Sequence, residues 1–321
     1  MYSETARAAP MSNPAPHSQQ RFGRFELLNL IGKGGMAEVY KARILQGSRA
    51  GEIVALKRLL PELASDAECV DLFTGEADIS RLLKHPNIVE VIEVGEVSDI
   101  YYLAMEYVEG RDLSAVLARC REKHFLLHVD FAIYMARALL DALDFVHAAK
   151  GPNGKALNVV HCDVSPSNVF LSKLGEVKLG DFGIAKVRAI DKWDDGDLVW
   201  GKLSYLSPEQ LSGQVFDRRA DLWSAGTLIY EMLTNRKPFV GKTADELKAA
   251  IKTGRPHSIA SARASVSEGL ERAILKSLEK DPRNRYQTAA EFADALSPFY
   301  QSEIGTPLGI ASVVRNLFGV R

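Results

Sequence analysis

"HCDVSPSN", residues His161 to Asn168, sets an acid and an amide five residues apart, the spacing that a phosphoryl-transfer loop uses, yet it contains no lysine or arginine. Its flanks supply further parts of such a site. A short "EVKLG" strand follows and leads to "DFG", which carries Asp181. Far upstream, "VALK" puts Lys57 on a strand where alternation directs it inward, beside Val54 and Leu56. An inward lysine needs an anion, and Glu76, on the next predicted helix, is placed to pair with it and hold the ammonium against phosphates. Asn168 and Asp181 offer the oxygens that Mg²⁺ prefers, and Asp163 suits an incoming hydroxyl as its base. Singly, each aspartate would read as a turn residue or a helix cap. The constellation carries the signal.

A glycine-rich hairpin completes the set. In "IGKGGMAEV", Ile31 to Val39, Gly32 and Gly34 lie between two strands, where backbone amides can close over phosphates because no Cβ intervenes. Ala37 takes the third glycine position, and a strand rather than a helix follows, which argues against a dinucleotide-binding fold.

The rest of the chain fits a two-lobed α+β protein. Its 321 residues are 46% hydrophobic and 25% charged, enough for a sizeable core. A net charge of -1 with scattered basic residues gives no case for a nucleic-acid partner. Three cysteines, Cys69, Cys120 and Cys162, are too few and too scattered for a disulfide framework and point to a reducing compartment, the cytoplasm. No apolar run approaches the roughly 18 residues of a membrane span, and the N-terminus lacks the apolar core of a signal peptide, so any anchor is expected outside this chain.

Residues 1–21, with Pro10, Pro14 and Pro16, read as a disordered tail. Short β-rich runs broken by "QGSRAG", a helix over 67–84 and two more strands make a small lobe, 22–108. A hinge at 106–110 leads to a helical lobe, 109–297, with a one-faced helix ending near His147, an almost wholly apolar core helix over 222–234, and helices over 243–253, 267–279 and 288–296. In the extension, 298–321, Thr306 is expected to cap a helix with Pro307 in its first turn and Leu308, Val313, Val314, Leu317 and Phe318 as an apolar stripe.

In this order and spacing, the glycine loop, "VALK", "HCDVSPSN" and "DFG" resemble the protein-kinase signature set, and "SPEQ", "DLWSAG", "KPFVG" and "DPRNRY" extend the resemblance over about 22–296. The glycine loop is similar to those of bacterial Ser/Thr kinases. The resemblance implies a small β-rich lobe hinged to a larger helical lobe, ATP and Mg²⁺ as cofactors, and protein substrates. It places ATP against Ile31, Gly32, Lys33, Gly34, Gly35, Met36, Ala37, Glu38 and Val39, with Met105 as gatekeeper, backbone groups of Glu106 and Val108 facing adenine, and Val39, Ala55 and Phe170 around the ring. Lys57 and Glu76 would position the nucleotide, Asn168 and Asp181 would carry metal, and Asp163 would act as base. Asp221 would anchor the His161 loop, and Glu209 would pair with Arg285.

Three positions depart from the pattern. Cys162 stands where an arginine would receive a phosphorylated activation loop. It is read as a half-buried thiol rather than a redox sensor. Ser165 replaces the lysine that contacts the transferring phosphate, and Lys202 replaces the threonine of the substrate loop. The last two suggest an exchange, in which Lys202 reaches Asp163 while Ser165 supplies the lost hydroxyl contact. The segment 184–203 has no Ser, Thr or Tyr, so its own phosphorylation cannot switch it, and Asp191, Asp194, Asp195 and Asp197 form an acidic cluster there. The leading expectation is an ATP-dependent Ser/Thr protein kinase. Its rival is a nucleotide-binding pseudokinase acting as a scaffold. A small-molecule phosphotransferase is disfavoured by the peptide-platform segment 201–210.

Overall fold

The computed structural model describes residues 20–182 and 201–319. Most of the expected tail and of the segment 184–203, acidic cluster included, lies outside the described residues. Strand β1 (Gln20–Phe22) already starts within the expected tail. It pairs with β2 (Phe25–Lys33), and an antiparallel meander continues through β3 (Ala37–Ile44) and β4 (Ile53–Leu59). The "QGSRAG" turn between β3 and β4 needs its glycines: Gly47 and Gly51 have φ of 95° and 92°, which side chains rarely adopt. Strands β5 (Val91–Val97) and β6 (Ile100–Glu106) complete a six-stranded sheet ordered β1-β2-β3-β4-β6-β5.

Period-two alternation divides this sheet into two apolar faces. Val54, Leu56, Tyr102 and Ala104 pack on one side with Phe25, Ala42 and Ile44. Ala37, Leu59, Leu103 and Met105 pack on the other with Phe73 and Ala77 of helix α1 (Ala67–Ser80). Lys57 belongs to this second face, which it shares with Ala55. The expectation that it lies beside Val54 and Leu56 therefore fails by one residue of pleat. Helix α1 is also shorter than expected. After Ser80 the chain tightens into turns, with the Leu82 N–H on the Ile79 carbonyl (3.0 Å) and the Leu83 N–H on the Ser80 carbonyl (3.2 Å), which tucks Leu83 into the core of the larger lobe.

Past the hinge, β7 (Gly110–Asp112), β8 (Val169–Ser172) and β9 (Val177–Leu179) form a small sheet beside α2 (Leu113–Glu122) and α3 (Val129–His147). Every residue of α4 (Arg219–Thr234) after Arg219 is buried. On this central post pack α3, the short α6 (Ile259–Ala262) and α7 (Glu268–Ser277); α5 (Ala244–Thr253) joins Trp223 through Leu247 and Ile251, and α8 (Ala289–Leu296) packs on α3 and α7.

The extension docks on the same lobe as α9 (Pro307–Phe318), capped by the Thr306 hydroxyl. Its buried stripe is Ile310, Val313, Val314 and Leu317, with Ala311 alongside. Leu308 lies off that stripe, two residues before its first member, and is 77% exposed, contrary to expectation. The docking is close: a Cβ on Gly175 would sit 1.7 Å from the Pro307 carbonyl oxygen. Arg119 and Lys123 of the α2 region donate to the last carbonyls of α9, at Leu317 (3.2 Å) and Asn316 (3.3 Å), where the helix dipole favours cations.

Candidate active site

The loop His161–Asn168 is held by its main chain. Asp221, 1% exposed at the start of α4, accepts from the backbone N–H groups of His161 (2.8 Å) and Cys162 (2.9 Å) and faces His147 Nε2 at 2.8 Å. These bonds stabilise Cys162 in a left-handed conformation, φ 67°, of a kind that costs about 1–3 kcal/mol for a non-glycine residue. The Cys162 sulfur donates to the Val160 carbonyl at 3.3 Å. Burial pushes its thiol pKa well above the ordinary value, and the Asp221 and Asp163 carboxylates push the same way. A thiol so placed stays protonated, as a structural rather than redox-sensing group does.

Asn168 braces the acid five residues before it. Its Nδ2 donates to the Asp163 carbonyl (2.8 Å) and to Asp163 Oδ2 (2.7 Å), which turns the amide oxygen the other way. Lys202 Nζ donates to the same Oδ2 at 2.7 Å. The expected proximity of Lys202 and Asp163 is thus present, but Ser165 does not take its expected place. Ser165 is 2% exposed, and its hydroxyl pairs with that of Ser167 at 3.0 Å.

Across the cleft, Lys57 donates to Glu76 Oε1 (2.6 Å) and Asp181 Oδ1 (3.2 Å). Burial works against its charge, but the Asp181 and Glu76 carboxylates more than offset it and hold the ammonium pKa above its ordinary value. Asp181 has φ 53°, a second left-handed residue at the site. The Gly180 N–H donates to the Asn168 carbonyl (2.9 Å), which joins the "DFG" turn to the loop. Asn168 and Asp181 would offer a neutral and an anionic oxygen, a donor set that suits Mg²⁺, which binds through one or two carboxylates plus substrate phosphates.

The strand register brings the expected nucleotide residues together. Val39 pairs with Lys57 and Ala55 with Met105, so all four lie on one face. Met105 is 8% exposed, and Ala55, Val108 and Phe170 pack in its cluster. Ile31 stands 48% exposed on the glycine hairpin. Among the described residues, no packing demands glycine there: a Cβ on Gly32 or Gly34 would meet only ordinary contacts at 3.6 and 3.7 Å, and one on Gly35 would meet none. Lys33, Gly34, Gly35 and Met36 form the tip and its flanks, closed by the Gly34 N–H on the Ala37 carbonyl at 2.9 Å. The Glu38 side chain turns away from the cleft. It lies on the opposite face from Lys57 and accepts from Tyr40 (2.9 Å) and Arg58 (3.2 Å), with Lys33 Nζ at 3.2 Å. Burial acts to raise its pKa, but these three bonds outweigh it and the net shift is downward. Only the Glu38 backbone can serve a ligand in the cleft. At the hinge, the Glu106 N–H is taken by the Glu90 carbonyl (2.9 Å), and Lys178 pins the Glu106 carboxylate at 2.8 Å.

The late motifs form a platform under the cleft. Arg285 grips Glu209 with two bonds, 2.6 and 2.8 Å, and its side chain is fully buried. The Ser207 N–H and hydroxyl both donate to Gln210 Oε1. One group escaped the sequence reading: Glu231, 3% exposed, accepts from Arg121 (3.1 Å), Lys237 (2.8 Å) and the Tyr205 hydroxyl. Its signal was a lone acid inside the apolar run 222–234, which must find cations once buried.

Comparison with known proteins agrees with this geometry. The family model described as "Protein kinase domain" matches residues 25–296. The chain is 37% identical over 298 residues to the tyrosine-protein kinase MasK of Myxococcus xanthus, covering 90% of this chain and 46% of that protein. It is 34% identical over 278 residues to the serine/threonine-protein kinase PrkC of Bacillus subtilis, covering 86% and 41%. The chain thus spans less than half the length of these curated relatives. The crystal structure of the Mycobacterium tuberculosis PknI kinase domain, as a double mutant, superposes with a TM-score of 0.66 at 26% identity, covering 88% of this chain and 98% of that one. By its fold, its ordered motifs and this match over most of its length, the chain belongs to the protein kinase family.

Proposed function

We propose that this chain is an ATP- and Mg²⁺-dependent protein kinase that phosphorylates Ser or Thr on protein substrates. The observation that carries the reading is the assembled cleft: Lys57 bonded to both Glu76 and Asp181, facing an Asp163 braced by Asn168. A scaffold that only bound nucleotide would have no use for a braced base. In the reaction, the acceptor oxygen bonds to the γ-phosphorus as the bond to the β,γ-bridging oxygen breaks, ADP departs, and the hydroxyl proton passes to Asp163. Lys57 holds the α and β phosphates, with Glu76 fixing its direction. Magnesium, held by Asn168 and Asp181, would neutralise phosphate charge. The glycine hairpin closes over the phosphates, and Val39, Ala55, Met105 and Phe170 enclose the base while Glu106 and Val108 offer it backbone groups.

Among the described residues no helix is long and apolar enough to cross a membrane, and all three cysteines are free. We place the domain in the cytoplasm, where reduced thiols persist. Since one relative is named a tyrosine kinase and another a serine/threonine kinase, the hydroxyl class must be measured. Transfer of radiolabel from ATP to a protein substrate by the wild type but not by Asp163→Asn, followed by phosphoamino-acid analysis, tests both points. Equal transfer by the two proteins would remove the kinase reading, and phosphotyrosine alone would overturn the Ser/Thr assignment.

A further inference from the structure

We infer that Lys202 is the local cation for phosphoryl transfer in this chain, and that the substrate-binding segment delivers it, so the charge meets the base only when that segment is seated. The inference rests on the kinase reading above. Between Asp163 and Asn168 the loop holds only Val164, Ser165, Pro166 and Ser167, none of them charged. Lys57 is committed across the cleft to Glu76 and Asp181. Lys202, by contrast, places its ammonium on the Asp163 carboxylate, at 2.7 Å. It does so from another part of the chain, 39 residues away.

Packing fixes where Lys202 starts. The Tyr205 N–H closes a turn onto the Lys202 carbonyl at 3.0 Å. Leu203 and Leu206, 4% and 7% exposed, sink into a cluster with Trp223 and Phe239. Ser224 of α4 donates to the Tyr205 carbonyl at 2.7 Å, and the Tyr205 hydroxyl joins Arg121 and Lys237 on Glu231. The stem of Lys202 therefore leaves a seated backbone, and its side chain, 26% exposed, spans from the platform to the base. With no hydroxyl in 184–203 to phosphorylate, seating by apolar burial and by Glu231 takes the place of a phosphate-driven switch. The exchange is one-sided: the cation has moved to the substrate segment, but Ser165 faces Ser167 and contributes no contact to the pair.

The test compares Lys202→Gln with Lys202→Arg. Losing one charged donor beside the transferring phosphoryl group should lower kcat by about 10² to 10³ in the Gln variant, whereas Arg should keep kcat within about tenfold of wild type. Binding of a fluorescent ATP analogue should change little in either variant. A second measurement needs no catalysis. In nucleotide-free protein, denaturant unfolding of Lys202→Gln, Asp163→Asn and the double variant should be non-additive, the double losing less than the sum. A Gln variant as active as wild type, equal losses in Gln and Arg, or additive unfolding would overturn the inference. Should wild type transfer no more phosphate than Asp163→Asn, the kinase reading fails instead, while the unfolding cycle still reports whether Lys202 and Asp163 are paired.

Discussion

Glu76→Gln isolates what the ion pair across the cleft contributes. Glu76 is bonded to Lys57 at 2.6 Å, with side-chain exposures of 10% and 15%, so the contact is largely shielded from water. Glutamine keeps the size and one acceptor oxygen but removes the charge. Among the described residues the ammonium then keeps only Asp181, at 3.2 Å, as an anionic partner, and is drawn towards a carboxylate proposed to carry metal. A hydrogen bond to a charged group contributes about 1.5–3 kcal/mol net. At about 1.4 kcal/mol per tenfold, kcat/KM for ATP should fall roughly 10- to 150-fold. Lys57→Met, which removes the cation itself, should leave no measurable transfer while the protein stays folded. The assay is initial rate against ATP concentration at fixed protein substrate, with a thermal melt of each variant. The pKa of Lys57 lies above its ordinary value, so its contribution to stability is complete below the ordinary lysine pKa and is lost only as pH rises through the higher folded value. The comparison therefore holds at any neutral pH. A Glu76→Gln enzyme within about threefold of wild type would refute the view that Glu76 aims the lysine.

Arg285→Ala should destabilise the protein by about 3–5 kcal/mol, since it strands Glu209, 7% exposed, without its two bonds; equilibrium unfolding measures this, and a loss below about 1 kcal/mol would contradict it. Phosphatase treatment of freshly expressed protein should leave specific activity unchanged, because 184–203 carries no hydroxyl; a large loss would place a governing phosphosite elsewhere. Ile310→Ala in α9, 1% exposed, should cost about 2–5 kcal/mol, and a shift near zero would mean that the extension does not dock as described.

Much of this architecture was legible because each signal was local. Lys57 was legible as an inward charge, although it shares its face with Ala55 rather than with Val54 and Leu56, and Thr306 marked a helix start as a cap; Thr243 and Thr288 cap their helices in the same way, each hydroxyl accepting a backbone N–H three residues on. The illegible parts depend on pairing between distant segments. Which face Glu38 takes follows from the β2–β3–β4 register, and a glycine hairpin alone does not fix it. The end of α1 was set by where Leu83 could be buried, a tertiary demand with no mark in the helix's own sequence. The direction of the Ser165 hydroxyl depends on Ser167, two residues on, in a turn whose geometry the sequence pattern does not encode.

The absent arginine at position 162 shows how a loop can depart from its family pattern and keep its shape. Main-chain donors hold this loop: Asp221 takes the N–H groups of residues 161 and 162, neither of which depends on the side chain at 162. The His161 ring adds a second tie, with the Asp163 N–H directed at Nδ1 (3.3 Å) and Nε2 facing the Gly180 carbonyl (3.2 Å), a pattern that places the ring proton on Nε2. That ring also packs against Phe182 of "DFG", with centroids 4.7 Å apart. Position 162 must supply only a backbone able to adopt φ near 67°, supported by Asp221. Cysteine meets that need and, protonated, adds no charge. The loop can therefore lose an arginine at 162 and a lysine at 165 and still present Asp163 and Asn168 together, provided a cation reaches Asp163 from elsewhere, as Lys202 does.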